Sequence, residues 1–117
     1  MGPTAPLEEV EQRVVVEYLE LLKSQGKVLW FTAVPNSTYT KSWAVKRRNK
    51  EQGLRAGMTD LIIIFPDNIL FLEMKRTKGG VLSKSQKECI AALESAGQTV
   101  CVAKGADEAI KFIIKII

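Results

Sequence analysis

Residues 60–75 have the sequence DLIIIFPDNILFLEMK, which predicts the centre of the fold. Two apolar runs flank the turn sequence Pro66-Asp67-Asn68, and this pattern predicts an antiparallel hairpin of two strands. Both runs are almost continuously apolar, which is typical of strands that other elements cover on both faces. The hairpin is therefore expected at the centre of a sheet.

Charged residues at the ends of this hairpin need an explanation, because ionised side chains are costly to bury unless they are paired or bind a metal. Asp60 begins the first run, and Glu73 and Lys75 end the second. If Pro66 and Asp67 form the tip, the register sets Asp60 opposite Glu73, with Cβ atoms about 4.5–5.5 Å apart. Alternation along the strand puts Lys75 on the same face as Glu73. The hairpin thus predicts two carboxylates and a lysine in one cluster.

Two close carboxylates repel each other, and a divalent cation between them would remove that conflict. The chain has no histidine, which disfavours zinc and excludes histidine bases, so oxygen ligands indicate Mg²⁺, Mn²⁺ or Ca²⁺. Such an ion polarises a phosphodiester and lowers the pKa of a bound water. Lys75 would orient that water or stabilise the charge of the transition state. The alternative interpretation is a surface salt bridge at a strand end.

The remaining segments predict one α/β domain over residues 1–117, with residues 1–6 as a flexible N-terminus. A central mixed β-sheet of about four strands would be flanked by helices. The expected helices cover residues 7–25, 42–52, 83–95 and 107–117, and the expected strands cover 28–34, 60–65, 69–75 and 99–103. Cys89 and Cys101 lie in apolar contexts without CxxC spacing, so both are predicted to be buried packing residues.

Three segments together resemble a known family: GMTDL at 57–61, LEMK at 72–75 and LSKSQ at 82–86. They are similar to the PD-(D/E)XK nuclease superfamily and, more narrowly, to its VRR-NUC branch. The similarity extends from Glu8 to about Phe112. One departure is Thr59, where the family usually has proline, a position that shapes the backbone rather than binding metal. The resemblance implies a restriction-endonuclease-like fold.

The resemblance also implies roles for individual residues. Asp60 and Glu73 would bind the metal, with the backbone carbonyl of Met74 as a further ligand. Lys75 would be the catalytic lysine. Gln86 would face the site and position a water or phosphate, although a solvated glutamine in the first turn of a helix is the alternative.

The family further places an acidic residue on the first helix beside the metal. Glu8 is the preferred candidate, because it lies on the same helix face as Val15 and Leu19. Glu11, one turn further on, is the reserve candidate. For either residue the alternative is an ordinary acid at a helix N-terminus.

A basic segment from residue 41 to residue 55 is the predicted phosphate-binding surface. Within it, Trp43 and Tyr39 would stack on an unpaired base; the alternative is a solvated helix face with an aromatic side chain packed inward. Further basic residues flank the site beside Gly79-Gly80. The predicted nucleic-acid contacts are Lys41, Lys46, Arg47, Arg48, Arg55, Arg76, Lys78 and Lys84.

The function that the resemblance implies is a Mg²⁺- or Mn²⁺-dependent endonuclease that hydrolyses DNA phosphodiester bonds, with branched DNA such as four-way junctions as substrate. A net charge of +4 permits a polyanionic partner. A homodimer is expected, supported by the apolar residues 110–117, and no small-molecule cofactor is expected. A nucleic-acid-binding module that does not cut and a small α/β protein-interaction domain stay open as alternatives.

The chain begins without the apolar run of a signal peptide and has no apolar stretch of membrane-spanning length. We therefore expect a cytoplasmic protein of a bacterial or phage-infected cell, with no membrane partner.

Overall fold

The computed structural model describes residues 8–35 and 42–117. All the expected helices and strands are present in the expected order, each within two residues of its expected bounds. The predicted flexible residues 1–6 lie outside the described part of the chain. The elements are α1 (Glu8–Ser24), β1 (Trp30–Ala33), α2 (Trp43–Glu51), β2 (Leu61–Ile64), β3 (Ile69–Lys75), α3 (Lys84–Ser95), β4 (Thr99–Lys104) and α4 (Ala106–Ile116).

The four strands form one mixed sheet in the order β1-β2-β3-β4. The β1–β2 and β2–β3 pairs are antiparallel, and β4 runs parallel to β3. A parallel pair needs a crossover connection, and α3 supplies it between β3 and β4. The predicted α/β fold with a mixed four-stranded sheet is confirmed.

The hairpin of β2 and β3 has the expected register. Leu61 pairs with Leu72 and Ile64 pairs with Ile69, and the Phe65 amide donates to the Asn68 carbonyl at 2.8 Å to close the turn. One step beyond the Leu61–Leu72 pair, the same register places Asp60 opposite Glu73.

The hydrophobic core lies between the sheet and the helices α1 and α4. It forms because apolar residues recur at helical spacing in α1 and at alternate positions in β2 and β3. Each fully buried aliphatic side chain contributes about 1.5–3 kcal/mol relative to an exposed one. The core includes Val15, Leu19, Leu22, Leu61, Ile63, Leu70, Leu72, Met74, Ala109 and Ile113.

The opposite face of the sheet is less completely covered than the sequence predicts. Helix α3 packs there against β4, while Ile62 and Ile64 of β2 are only half-buried, in contrast to the buried Leu61 and Ile63. This face is therefore open enough to hold polar side chains.

Both cysteines are half-buried, so the prediction of full burial is wrong, whereas the predicted packing role is confirmed for Cys101, which lies against the core. The Cys89 thiol donates to the Met58 sulfur at 3.7 Å. Partial burial, with the nearby charge of Glu108 adding to it, raises the pKa of Cys101 to about 11, so that thiol stays protonated at neutral pH. Among the described residues, none of the helices has the length and apolar character needed to cross a membrane.

Candidate active site

A glycine brings the loop before β2 against the first turn of α3. Gly57 is buried and has φ +108°, a conformation that favours glycine. A Cβ at this position would overlap the backbone carbonyl group of Ser85. Only glycine therefore allows this close approach, which sets Asp60 and the residues of α3 around one site.

Asp60 is held across the hairpin by its side chain. Its Oδ2 accepts a hydrogen bond from the Met74 amide at 2.7 Å, and its own carbonyl accepts from the Val34 amide at 2.8 Å. Thr59, at the position where the resemblance leads one to expect proline, is fully buried, and its hydroxyl donates to the Leu61 carbonyl at 3.4 Å. The bond from the Met74 amide holds the Asp60 carboxylate beside β3, and the other two hold the backbone around it.

Glu73 is the centre of the cluster and is only 1% exposed. Its Oε2 accepts a hydrogen bond from Gln86 Nε2 at 2.9 Å and lies 3.3 Å from Lys75 Nζ. Its Oε1 is buried and has no hydrogen-bond partner among the described residues. The predicted placement of Glu73 and Lys75 on one face is confirmed by this ion pair.

The electrostatics of Glu73 follow from its surroundings. Burial raises its pKa, and the neighbouring Asp60 charge raises it further, while the Lys75 ammonium lowers it; the resulting pKa is about 7. A carboxyl group that is hard to ionise beside a second carboxylate becomes easier to ionise when a cation is bound. The donor set of two clustered carboxylates therefore fits a hard divalent cation.

Gln86 occupies the place expected for it. Its backbone amide donates to the Ser83 hydroxyl and its side-chain oxygen accepts from the Ser83 amide, which together form a capping box at the start of α3. The side-chain nitrogen is then free to donate to Glu73. The sequence Ser83-Lys84-Ser85-Gln86 carries this capping signal. Gln86 is half-buried and bonded to Glu73, so it is not a solvated glutamine.

The two acidic candidates on α1 have different environments. Glu11 Oε2 accepts a hydrogen bond from the Ala106 amide, at an N-terminus whose own cap, Gly105, makes no side-chain cap bond. The Gly105 amide in turn donates to the Lys75 carbonyl at 3.0 Å. Glu11 thus anchors α4 beside the end of β3, a role that the sequence interpretation missed.

Glu8 lies half-buried in the first turn of α1. Within residues 8–35 and 42–117, no three acidic or cysteine side chains come together as a group that could hold a metal ion. The structure therefore brings Asp60 and Glu73 together with Lys75 and Gln86, and it does not bring Glu8 into that group.

The predicted nucleic-acid-binding residues are exposed wherever the structure describes them. Trp43 is 85% exposed, so the alternative of an aromatic side chain packed inward does not hold for it. Tyr39 and Lys41 lie outside the described residues. The exposed basic candidates are Lys46, Arg47, Arg48, Arg55, Arg76, Lys78 and Lys84.

The mixed sheet brings the half-buried Asp60 and the buried Glu73 and Lys75 together between its central hairpin and a crossover helix, an arrangement that fits a nuclease-type α/β domain. The VRR-NUC domain model matches residues 8–107, and the chain belongs to that nuclease family, as the sequence motifs predicted.

Comparison with solved structures agrees with this membership. A structure described as a VRR_NUC domain protein is 25% identical with a TM-score of 0.77, and the alignment covers 98% of this chain and 91% of that one. A second, described as a VRR_NUC domain, is 21% identical with a TM-score of 0.64, and the alignment covers 94% of this chain and 97% of that one. A search of curated proteins found no match.

Proposed function

We propose that this VRR-NUC domain is a metal-dependent endonuclease that hydrolyses DNA phosphodiester bonds at the cluster of Asp60, Glu73 and Lys75. The observation that carries the proposal is Glu73 Oε1, a buried carboxylate oxygen without a hydrogen-bond partner among the described residues, in a group whose pKa is raised by burial and by Asp60. A buried carboxylate oxygen normally has a partner, and a hard cation bound here would provide one.

The residues present fit Mg²⁺ or Mn²⁺. Asp60 and Glu73 would hold the ion, with the Met74 carbonyl as a further ligand, and Mg²⁺ is commonly bound through only one or two carboxylates. Neither acid of α1 is needed for this donor set: Glu8 is not part of the cluster, and Glu11 accepts from the Ala106 amide. When bound, such an ion lowers the pKa of a coordinated water and polarises the scissile phosphate.

The other side chains would act on the substrate. Lys75 is held by Glu73 with its ammonium group at 3.3 Å from Oε2, and a fixed cation there would stabilise the negative charge that develops on the phosphate oxygens. Gln86, held at its oxygen by Ser83 and at its nitrogen by Glu73, would orient the attacking water. Water would attack phosphorus and lose a proton to solvent, while the P–O bond to the leaving sugar oxygen breaks and that oxygen takes a proton from solvent.

The proposal extends to a DNA substrate with branched structure and to a homodimer that presents two sites. Support for the dimer comes from α4, where Ile114 is 53% exposed and Ile117 at its end is 44% exposed. Exposed aliphatic side chains clustered at one helix end are typical of interaction surfaces. Light scattering tests the assembly: a mass of twice the chain supports the dimer, and a monomer at high concentration contradicts it.

A cleavage assay tests the proposed activity. Linear, flapped and four-way-junction DNA are incubated with the protein in Mg²⁺, in Mn²⁺ and in EDTA. We expect metal-dependent cleavage that Lys75→Ala reduces by a factor of about 10² or more, the size typical for loss of one transition-state donor.

Lys104→Ala is the matched control, because Lys104 pairs with Lys75 across β3 and β4 but is exposed. It should cleave at the wild-type rate. No cleavage by the wild type in Mn²⁺, or equal cleavage by Lys75→Ala, would make the nuclease proposal wrong.

A further inference from the structure

Helix α2 stands at the surface and forms one wall of a cleft. None of its residues is buried, although its start is well defined by the Ser42 side chain, which accepts from the Val45 amide at 3.3 Å. Between α2 and α3 lies an open cleft of about 930 Å³, within the size range of small-molecule sites. A helix that contributes nothing to the core leaves its inward side available for a ligand.

The cleft combines a basic wall with an apolar floor. Lys46, Lys50 and Arg55 provide positive charge, and Leu54 and Met58 provide apolar surface. Phosphate groups are bound mainly by lysine and arginine, whereas a nucleobase has an apolar face that packs on such a floor. This pairing of charge and apolar surface matches the two halves of a nucleotide.

The cleft adjoins the catalytic cluster directly. Ser85 and Met58 line it, and they precede Gln86 by one residue and Asp60 by two. The close contact of Gly57 with the Ser85 backbone joins the same two segments. A nucleotide in the cleft would therefore belong to the DNA strand next to the scissile phosphate.

An exposed tryptophan stands on the same helix face. Trp43 precedes Lys46 and Lys50 by three and seven residues, and residues at these spacings share one side of a helix. Its side chain is 85% exposed. Stacking of bases on aromatic side chains is a common mode of binding to single strands and tolerates any sequence.

We infer that the α2–α3 cleft binds an unpaired nucleotide of single-stranded DNA, an inference that rests on the proposed nuclease function. Lys46, Lys50 and Arg55 hold the flanking phosphates, and Leu54 and Met58 contact the apolar side of the base or sugar in the cleft. Trp43 lies outside the lining, one turn before Lys46 on α2, and stacks on the next base of the same strand. Glu88, the acidic residue of the lining, accepts from an exocyclic amino group.

This site favours one class of branched DNA over another. A base inside a duplex is stacked between its neighbours and offers no face to Trp43, so fully paired DNA would contact the cleft through its phosphates alone. Flaps, gaps and forks carry unpaired nucleotides beside a junction. DNA with a single-stranded segment beside the junction should therefore bind the cleft more tightly than fully paired DNA.

Tryptophan fluorescence in EDTA tests the inference without any cleavage. The chain has two tryptophans, so Trp30→Phe leaves Trp43 as the reporter. Titration with a deoxycytidine oligonucleotide should quench it and saturate, whereas a blunt duplex should quench it less and bind more weakly. Trp43→Ala should weaken binding of the oligonucleotide about tenfold, measured by anisotropy, because the stacked base loses its aromatic partner.

Trp30→Ala is the matched control, because Trp30 is also exposed, at 59%, but lies at the sheet edge beside Lys23. Its affinity for the oligonucleotide should equal that of the wild type. Equal affinities for single-stranded and duplex DNA, or full affinity in Trp43→Ala, would overturn the inference.

The cleavage assay separates failure of this inference from failure of the proposed function. If flapped DNA is cut in Mn²⁺ and Trp43→Ala cuts it equally well, the nuclease stands and the nucleotide site is wrong. If single-stranded DNA binds through Trp43 but nothing is cut, the site stands and the nuclease proposal is wrong.

Discussion

The two faces of β3 differ sharply in the side chains that they bury. Leu72 and Met74 point into the core under α1 and α4 and are fully buried among apolar side chains. Glu73 and Lys75, one residue along in each case, are buried too, but they form an ion pair on the side that meets α3. One strand thus serves stability on one face and chemistry on the other, and burial alone does not distinguish the two.

Truncation of the apolar face should give the largest effect on stability. Leu72→Ala removes a fully buried side chain at the centre of the sheet and is expected to lower the free energy of unfolding by about 2–5 kcal/mol. Urea denaturation measures the loss. Ile69→Ala on the same strand is the control, because Ile69 is 37% exposed and its truncation should lower the free energy of unfolding much less. Equal losses in the two variants would mean that Leu72 contributes no more to the core than Ile69.

The charged face should instead make stability depend on pH. The folded-state pKa of Glu73 is about 7, above its ordinary value of 4.5, so the folded protein binds a proton that the unfolded chain releases. The resulting stabilisation is complete below pH 4.5 and is lost as the pH rises through 7. The full change is about 3 kcal/mol, because one pKa unit corresponds to about 1.4 kcal/mol.

Urea midpoints in EDTA at pH 5.5 and pH 8 measure this change. The metal-free wild type should be less stable at the higher pH. Glu73→Gln imitates the protonated side chain and should flatten the profile, whereas a wild type whose stability rises over this range would refute the assigned environment of Glu73.

Loss of the contact between α1 and α4 should have the smallest of these effects on stability. Glu11→Ala removes the acceptor for the Ala106 amide at the start of α4 and should lower the free energy of unfolding by about 0.5–2 kcal/mol, as for the loss of a helix cap. Glu9→Ala, an exposed acid in the same turn of α1, should change it by less than about 0.5 kcal/mol. Equal effects of the two substitutions would mean that the Glu11 contact contributes nothing.

The sequence predicted the parts of the fold that local patterns determine. The hairpin register followed from the Pro66-Asp67-Asn68 turn and from two apolar runs of matching length, and it placed Asp60 opposite Glu73. Gln86 was found through a family resemblance, and its position is supported by a capping box within four residues of chain.

The features that the sequence did not reveal depend on distant contacts. Glu11 and Ala106 are 95 residues apart, and nothing near either residue indicates that they meet. An aromatic residue in a short amphipathic helix packs inward or outward depending on what covers the helix. The exposure of Trp43 therefore could not be predicted from the sequence and is seen only in the structure. Cys89 was expected in the core because its neighbours are apolar, but it lines the α2–α3 cleft.

The charged face of β3 is proposed above to bind a divalent cation between Asp60 and Glu73. Binding of Mn²⁺ to the full chain at pH 8, followed by the relaxation of water protons, tests it most directly. We expect saturable binding by the wild type, and binding weakened at least tenfold in both Asp60→Asn and Glu73→Gln but unchanged in Lys104→Ala. Binding of equal strength in all four proteins, or no binding by the wild type with or without DNA, would mean that Asp60 and Glu73 do not form a metal site.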